Sequence, residues 1–361
     1  MGKMKTAMII ALAACMILGI TACGGQTTTT SDAPESTMPA AAAPEDTTAP
    51  EDTTAPETEI PEETENAHYP VEITNYNYAG DEITVTYEKA PERVVAVYQG
   101  CVETMIALGL EDHVVAAYGL DNEVKDEWKA GLEKANYDGS VFAPDKETVS
   151  MLEPDMIFSW SSYFGEEKLG DVNYWMESGT NAFISSNTRR GGHVRTLENE
   201  YADIISIGKI FNVEDKAEAI VNEVKDEIDT VLEQTKGREK QSVVILEFLT
   251  NITNYRASSL GGDMVIQLGG DMAIPELPEI GNEDLLEVDP DVIFVVYMEK
   301  TGENVREECV ERVMNDPALS SLKAVQNSRV YPIMLGDMFA STVRSIDGIR
   351  SFAAGLYPEL G

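Results

Sequence analysis

EDKAEAIVNEVKDEIDTVLEQT, residues 214–235, contains no Gly and no Pro. Ala217, Ile220, Val221, Val224, Ile228, Val231 and Leu232 recur at three- and four-residue steps, the stripe of a helix that buries one face. Glu, Lys and Asp make up the other face, and Lys236-Gly237 supplies a cation and a C′ glycine to stop the helix. At 1.5 Å per residue it spans ~33 Å, about the width of a small domain. It also divides the chain beyond residue 67 into two halves of similar pattern. Taken alone, the helix is either an ordinary surface element of one domain or a rigid spine between two lobes. Its flanks decide.

Upstream, DEITVTY (81–87) alternates like an edge strand, and VVAV (94–97) is the short continuous apolar run of a strand buried on both faces. Tyr98-Gln99-Gly100 reads as a turn, CVETMIAL (101–108) as a helix closed by Gly109, and VVAA (114–117) as the next strand. A helix over 147–153 is broken at Pro154-Asp155, and strands follow at 156–158 and 182–184. Downstream the pattern returns: a strand at 242–248, a helix at 264–268 ended by Gly269-Gly270, a helix at 282–288, a break at Pro290-Asp291, strands at 292–296 and 330–333, and a closing helix over 341–356. PDKETVSMLEPDMIF (144–158) is echoed by IGNEDLLEVDPDVIF (280–294). Each copy places a glutamate, Glu147 or Glu283, at the start of a short helix, then an apolar stripe, Pro-Asp and a strand. Strands alternating with helices imply parallel sheets covered on both faces. The expected fold is therefore α/β: two Rossmann-like lobes with mainly parallel sheets, residues 67–213 and 237–361, joined by one long helix over 214–236.

The chain has 361 residues and a formal net charge of −38. Phosphate neutralisation needs a basic surface, so nucleic acid is excluded as a partner, and the acidity suits a soluble extracytoplasmic protein. Residues 1–23 read as a targeting segment: Lys3 and Lys5, an apolar run over 7–20 too short to cross a bilayer, then Ile20-Thr21-Ala22-Cys23. That ending resembles a bacterial lipobox, in which Cys23 carries the lipid and holds the protein at the membrane surface; the alternative is a plain secretory signal with an incidental cysteine. Residues 24–66 hold no Lys or Arg, and APEDTT recurs in tandem within them. Such a stretch cannot bury apolar area and is expected to be a disordered, extended tether. Of the remaining cysteines, Cys101 and Cys309 fall one in each half. No CxxC or Cys/His spacing suggests a metal site or cofactor, and both are expected to be small core hydrophobes.

Parallel sheets present the C-terminal ends of their strands to ligands. If the lobes face each other, the lining includes Tyr98 and Gln99, residues 159–163 with Trp160 and Tyr163, residues 187–193, residues 248–256, Tyr297 and Met298, and residues 335–339. Aromatics and arginines dominate, which suits a planar or chelated ligand rather than a bare ion. Arg189, Arg190, Arg195 and Arg256 stand out in so acidic a chain. A guanidinium fork matches carboxylate or catecholate oxygens; the competing reading is salt bridging to nearby carboxylates. His68, His113 and His193 are scattered and form no ligand cluster. No nucleophile elbow, phosphate loop or triad spacing is present, so an enzyme is not expected.

APERVVAVYQGCVETMIALGL (90–110), ETVSMLEPDMIF (147–158), IGKIFNVEDKAEAI (207–220), LGGDMAI (268–274) and EDLLEVDPDVIF (283–294) together resemble the substrate-binding lipoproteins of ABC importers for ferric siderophores, haem and cobalamin, the type with a single helix between its lobes. The resemblance implies a monomer, lipid-anchored outside the cell membrane. It would capture a ferric siderophore in the interlobe cleft and deliver it to an ABC permease dimer with its ATPase; the stiff spine itself predicts small lobe motion. Cobalamin or haem is the alternative cargo. It also implies that Glu147 and Glu283 meet arginine-bearing pockets of the permease, where the ordinary reading is helix N-terminal charge stabilisation. A metal-cluster enzyme on a similar scaffold would need clustered cysteines, which the chain lacks.

Overall fold

The N-terminal half is organised by four short strands whose apolar runs leave no polar face. A hairpin precedes them, β1 (Val71–Tyr76) and β2 (Glu82–Tyr87), paired antiparallel. Then come β3 (Val94–Val97), α1 (Gln99–Ala107), β4 (Val114–Tyr118), α2 (Lys129–Lys134), α3 (Lys146–Met151), β5 (Met156–Ser159), α4 (Val172–Glu177), β6 (Asn181–Ile184) and α5 (Leu197–Ile210). The strands form an all-parallel sheet in the order β4-β3-β5-β6. Every residue of β3 and β5 is buried, as a strand covered on both faces requires. The computed structural model describes residues 68–299 and 304–360, so the targeting segment, Cys23 and the tether lie outside the described residues.

α6 (Glu214–Gln234) follows, unbroken for 21 residues. Glu214 and Asp215 oppose the positive end of its dipole, and Gly237 takes φ +81° just past its C-terminus. The second half contains β7 (Ser242–Phe248), β8 (Ile252–Asn254), α7 (Leu260–Gln267), β9 (Asp271–Met272), β10 (Glu279–Ile280), α8 (Asn282–Val288), β11 (Val292–Tyr297), α9 (Val305–Met314), α10 (Lys323–Gln326), β12 (Val330–Met334), α11 (Leu335–Met338) and α12 (Ser345–Leu356). Its sheet runs β10-β8-β7-β11-β12 with β9 added on β7. The β7, β9, β11 and β12 pairings are parallel, while β8 and β10 run antiparallel. Two separate, mainly parallel sheets joined by one long helix is the expected fold class.

Burial explains why α6 works as a spine. Its apolar stripe of Ala217, Val221, Val224, Ile228 and Val231 belongs to a core that also takes in Met105 and Ile204 of the first half and Val243, Phe294 and Phe352 of the second. Separate clusters fill the outer face of each sheet, around Ile157 and Trp175 in one and around Ile293 and Leu322 in the other. On its polar side, Lys216 Nζ donates to the Leu108 carbonyl at 2.7 Å, and Glu223 and Glu227 pair with Arg350 of α12 at 3.0 and 3.2 Å. One helix is thus fastened to both halves.

Several local expectations need correction. Tyr98-Gln99-Gly100 is not a three-residue turn: Tyr98 makes the whole reversal at φ 78°, ψ 152°, and α1 begins at Gln99. The closing helix starts at Ser345 rather than 341, because Thr342 at φ 44° interrupts the helical run. α3 ends at Met151, and Glu153 at φ 45° turns the chain into Pro154. Cys101 is a buried core residue as expected, whereas Cys309 is only half buried at the edge of its cluster. Strand β1 and helices α5 and α9 are not among the elements expected from the sequence.

Candidate functional site

The C-terminal ends of the two sheets face a common seam. On the N-terminal side Tyr98 follows β3 and Trp160 follows β5. On the C-terminal side Leu335, Gly336 and Phe339 follow β12. Tyr98, 7% exposed, is held by its amide to the Tyr118 carbonyl and by its own carbonyl to the amides of Cys101 and Val102. Its backbone lies where few residues other than glycine go, so the surrounding structure forces it there. The ring stacks on Trp160 with centroids 4.8 Å apart, and Trp160 meets Phe339 of the opposite half at 5.8 Å. Arg195 lays its guanidinium 4.2 Å from the Phe339 ring centre. Phe142 flanks Tyr98 at 5.7 Å. An aromatic column capped by a cation therefore crosses the seam. The Trp160 indole N–H is buried within it and has no acceptor among the described residues.

Beside this column the two halves are tied. Arg344, 5% exposed, makes a two-pronged contact with Glu103 of α1 at 2.6 and 2.7 Å and donates to the Glu123 carbonyl. Gln99 donates to Glu103 and accepts from the amides of Asp121 and Asn122. The Thr342 amide donates to Glu200 at 2.6 Å, and the Leu197 amide donates to Asp263 at 2.8 Å. Gly100 is required here: a Cβ would lie 2.5 Å from Thr342 Oγ1 and 2.8 Å from the Ala340 carbonyl. Gln99, Gly100, Asp121, Trp160, Phe339 and Arg344 line a narrow cavity where the halves meet.

The four arginines fall in different places. Arg195 and Arg256 are close enough that Arg256 and burial together lower the Arg195 pKa, burial being the larger cause. Arg256 is not beyond the end of β7. The chain reverses into antiparallel β8, and the Tyr255 amide pairs with the Ile245 carbonyl, which brings Arg256 back beside the middle of β7. Arg189 stacks on Tyr76 at 4.6 Å and donates to its hydroxyl, while exposed Arg190 stacks on Tyr78 at 4.5 Å, both against the hairpin. None of the four forms an ion pair with a carboxylate among the described residues. His193 sits between Arg189 and Arg195; burial first, then these two cations, lowers its pKa to about 4, so the ring is neutral at physiological pH. Neither ring nitrogen has a hydrogen-bond partner among the described residues.

Tyr163 is 1% exposed and donates its hydroxyl to the Pro144 carbonyl, so it supports Tyr98 from within the core at 6.0 Å. Tyr297 faces a different part of the seam, a cleft of about 850 Å³ that it shares with Asp121, Tyr137 and Arg306. Glu147 and Glu283 are exposed in the first turns of α3 and α8, with no ion pair among the described residues. Sequence reasoning missed Asp121, Gly100, Phe142, Ala340 and Arg344. Asp121 was reachable by the same rule that found Tyr98, since it follows the C-terminal end of β4. Arg344 carried no such signal, lying in a short turn before α12.

Residues 94–334 match a family described as periplasmic binding protein. An uncharacterized ABC transporter substrate-binding lipoprotein of Bacillus subtilis, YvrC, is 23% identical over 285 residues, 76% of this chain and 83% of that relative. The petrobactin-binding protein YclQ of the same organism is 24% identical over 255 residues, 67% of this chain and 74% of the relative. Among solved structures, a periplasmic binding protein from Veillonella parvula superposes with a TM-score of 0.75 at 29% identity, covering 81% of this chain and 92% of that one. No described helix is long and apolar enough to cross a membrane.

Proposed function

Because the chain belongs to the periplasmic binding protein family, we propose that it is the solute receptor of an ABC importer, anchored outside the cell membrane through Cys23, and that it captures a ferric siderophore between its two halves and passes it to a permease dimer with its ATPase. The observation that carries the cargo assignment is the set of arginines. In a chain of net charge −38, carboxylates are abundant, yet Arg189, Arg190, Arg195 and Arg256 pair with none among the described residues. Cations kept free of carboxylate partners suit an anionic, oxygen-rich chelate, which a guanidinium fork grips in two places. The petrobactin binding for which the relative YclQ is named supports the same class.

In this reading Tyr98 and Trp160 form the platform, Tyr163 backs it, and Arg195 with Arg256 grips the chelate. Arg189 and Arg190 extend the positive rim toward the hairpin, and Tyr297 lines the separate cleft it shares with Asp121 and Arg306. Glu147 and Glu283 dock the permease. The direct test is native mass spectrometry with ferric chelates, cobalamin and haem. A ferric chelate is expected to bind, and Arg195→Gln is expected to weaken it by roughly tenfold to a hundredfold, the loss of one charged hydrogen bond. Binding of haem or cobalamin alone would refute the cargo assignment.

A further inference from the structure

Phe339 has an unusual set of neighbours for a phenylalanine. Its ring is only half buried, and it is held by two groups of the opposite half, the Trp160 ring at 5.8 Å and the Arg195 guanidinium at 4.2 Å. Both offer more than a hydrocarbon ring can use. The Arg195 cation has no carboxylate partner, and the buried Trp160 N–H has no acceptor, among the described residues. The segment that carries the ring is also held away from relaxed backbone: Ala340 and Thr342, neither of them glycine, adopt φ 48° and 44°. L residues rarely rest in that region, so two within three positions mark a segment held under backbone strain. It is kept in place by the Thr342 amide on Glu200 and by the packing of Thr342 on Gly100.

Resting on the ferric-chelate reading above, we propose that Phe339 is a displaceable stand-in for an aromatic ring of the cargo, and that the site takes iron chelates built on catecholate or phenolate rings. Such a ring keeps the face contacts that Phe339 makes with Trp160 and Arg195. Its anionic oxygens add what Phe339 lacks: a charged acceptor for the guanidinium and an acceptor for the indole N–H. When the cargo ring enters, the Phe339 ring leaves and residues 339–342 relax. A chelate with no aromatic ring, such as a trihydroxamate, gains nothing from the exchange.

The test measures equilibrium dialysis of radio-iron, presented as its 2,3-dihydroxybenzoate complex and as its desferrioxamine complex, to the wild-type protein, Phe339→Ala and Phe339→Leu. Displacement of the ring opposes catecholate binding in the wild type. Phe339→Ala should therefore bind the catecholate about tenfold more tightly, with no comparable gain for the hydroxamate, and Phe339→Leu should fall between. Equal or weaker catecholate binding by both variants overturns the proposal, as does an equal gain for the two chelates. If the wild type binds neither chelate, the ferric-chelate cargo assignment fails and this inference with it; if it binds the hydroxamate alone, the cargo assignment survives and the aromatic specificity does not.

Discussion

Asp203 is 2% exposed and lies one helical turn from Glu200, which is fully buried. It accepts from the Ser186 amide at 2.7 Å, from the Ser185 hydroxyl at 3.3 Å and from the Ser186 hydroxyl at 2.5 Å. Burial, then repulsion from Glu200, pushes its pKa from 3.8 to about 8. The Ser186 hydroxyl can reverse its bond and accept from the protonated acid. The folded state then holds a proton that the unfolded chain releases. This group's contribution is complete below about pH 4 and declines as pH rises toward the folded value. Asp203→Asn places an amide where the protonated acid was. The variant is expected to match the wild type near pH 4 and to gain on it up to about pH 8, read as a melting temperature roughly 2–4 °C higher per kcal/mol. Parallel melting curves for the two proteins across that range would rule the account out. At this scale, residues directly after a buried strand, such as Tyr98 and Trp160, were legible in the sequence, because strand ends are announced by their apolar runs. Asp203 and Glu200 were not, because a carboxylate in a helix looks like a solvated face until the packing around it is known.

Among elements, the decisive contact is α1 against the turn before α12. Glu103 is completely buried, and its only cationic hydrogen-bond partner among the described residues, Arg344, comes from the other half. Removing one member leaves the other as a buried, poorly compensated charge, so Glu103→Gln should cost about 3–5 kcal/mol in urea unfolding. Replacing Glu103 and Arg344 together with Met should recover most of that loss, since the pair's attraction is largely offset by the desolvation of both groups. A double variant as unstable as the single one would contradict this balance. α6 was readable from the sequence because its stripe is long and free of Gly and Pro. α5 was not, because its apolar residues are interleaved with a glycine and with the buried charges Glu200 and Asp203, which blur the helical period. The start of α12 was misplaced for a different reason: the left-handed Thr342 is set by contact with Gly100, a tertiary cause with no local signature.

For the whole molecule, the repeated helix-Pro-Asp-strand unit places Glu147 and Glu283 in matching first turns, one in each half. If these carboxylates dock a two-fold permease, changing both to Ala should lower uptake tenfold or more, from the loss of roughly 1.5–3 kcal/mol per charged contact, and leave the chelate dissociation constant unchanged. Weakened chelate binding, or normal uptake, would remove the docking role. The duplication itself was visible as an echo in the sequence, and so was the two-sheet plan. The seam between the sheets was only partly visible: its arginines sit on loops whose course, such as the reversal that carries Arg256 back along β7, follows from pairing that no local pattern encodes.

Asn75 of the hairpin has a consequence for how the chain comes together. Its side-chain amide accepts from the Ile184 amide at 2.7 Å and donates to the Ile184 carbonyl at 3.0 Å, so a single side chain satisfies both backbone groups at the C-terminal end of β6. β6 is the border of its sheet, and an unguarded border invites another molecule to add itself. Synthesis proceeds from the N-terminus, and a hairpin closes within microseconds. The hairpin that carries Asn75 therefore leaves the ribosome before the vulnerable strand does, so a guard for that rim is already at hand when β6 appears.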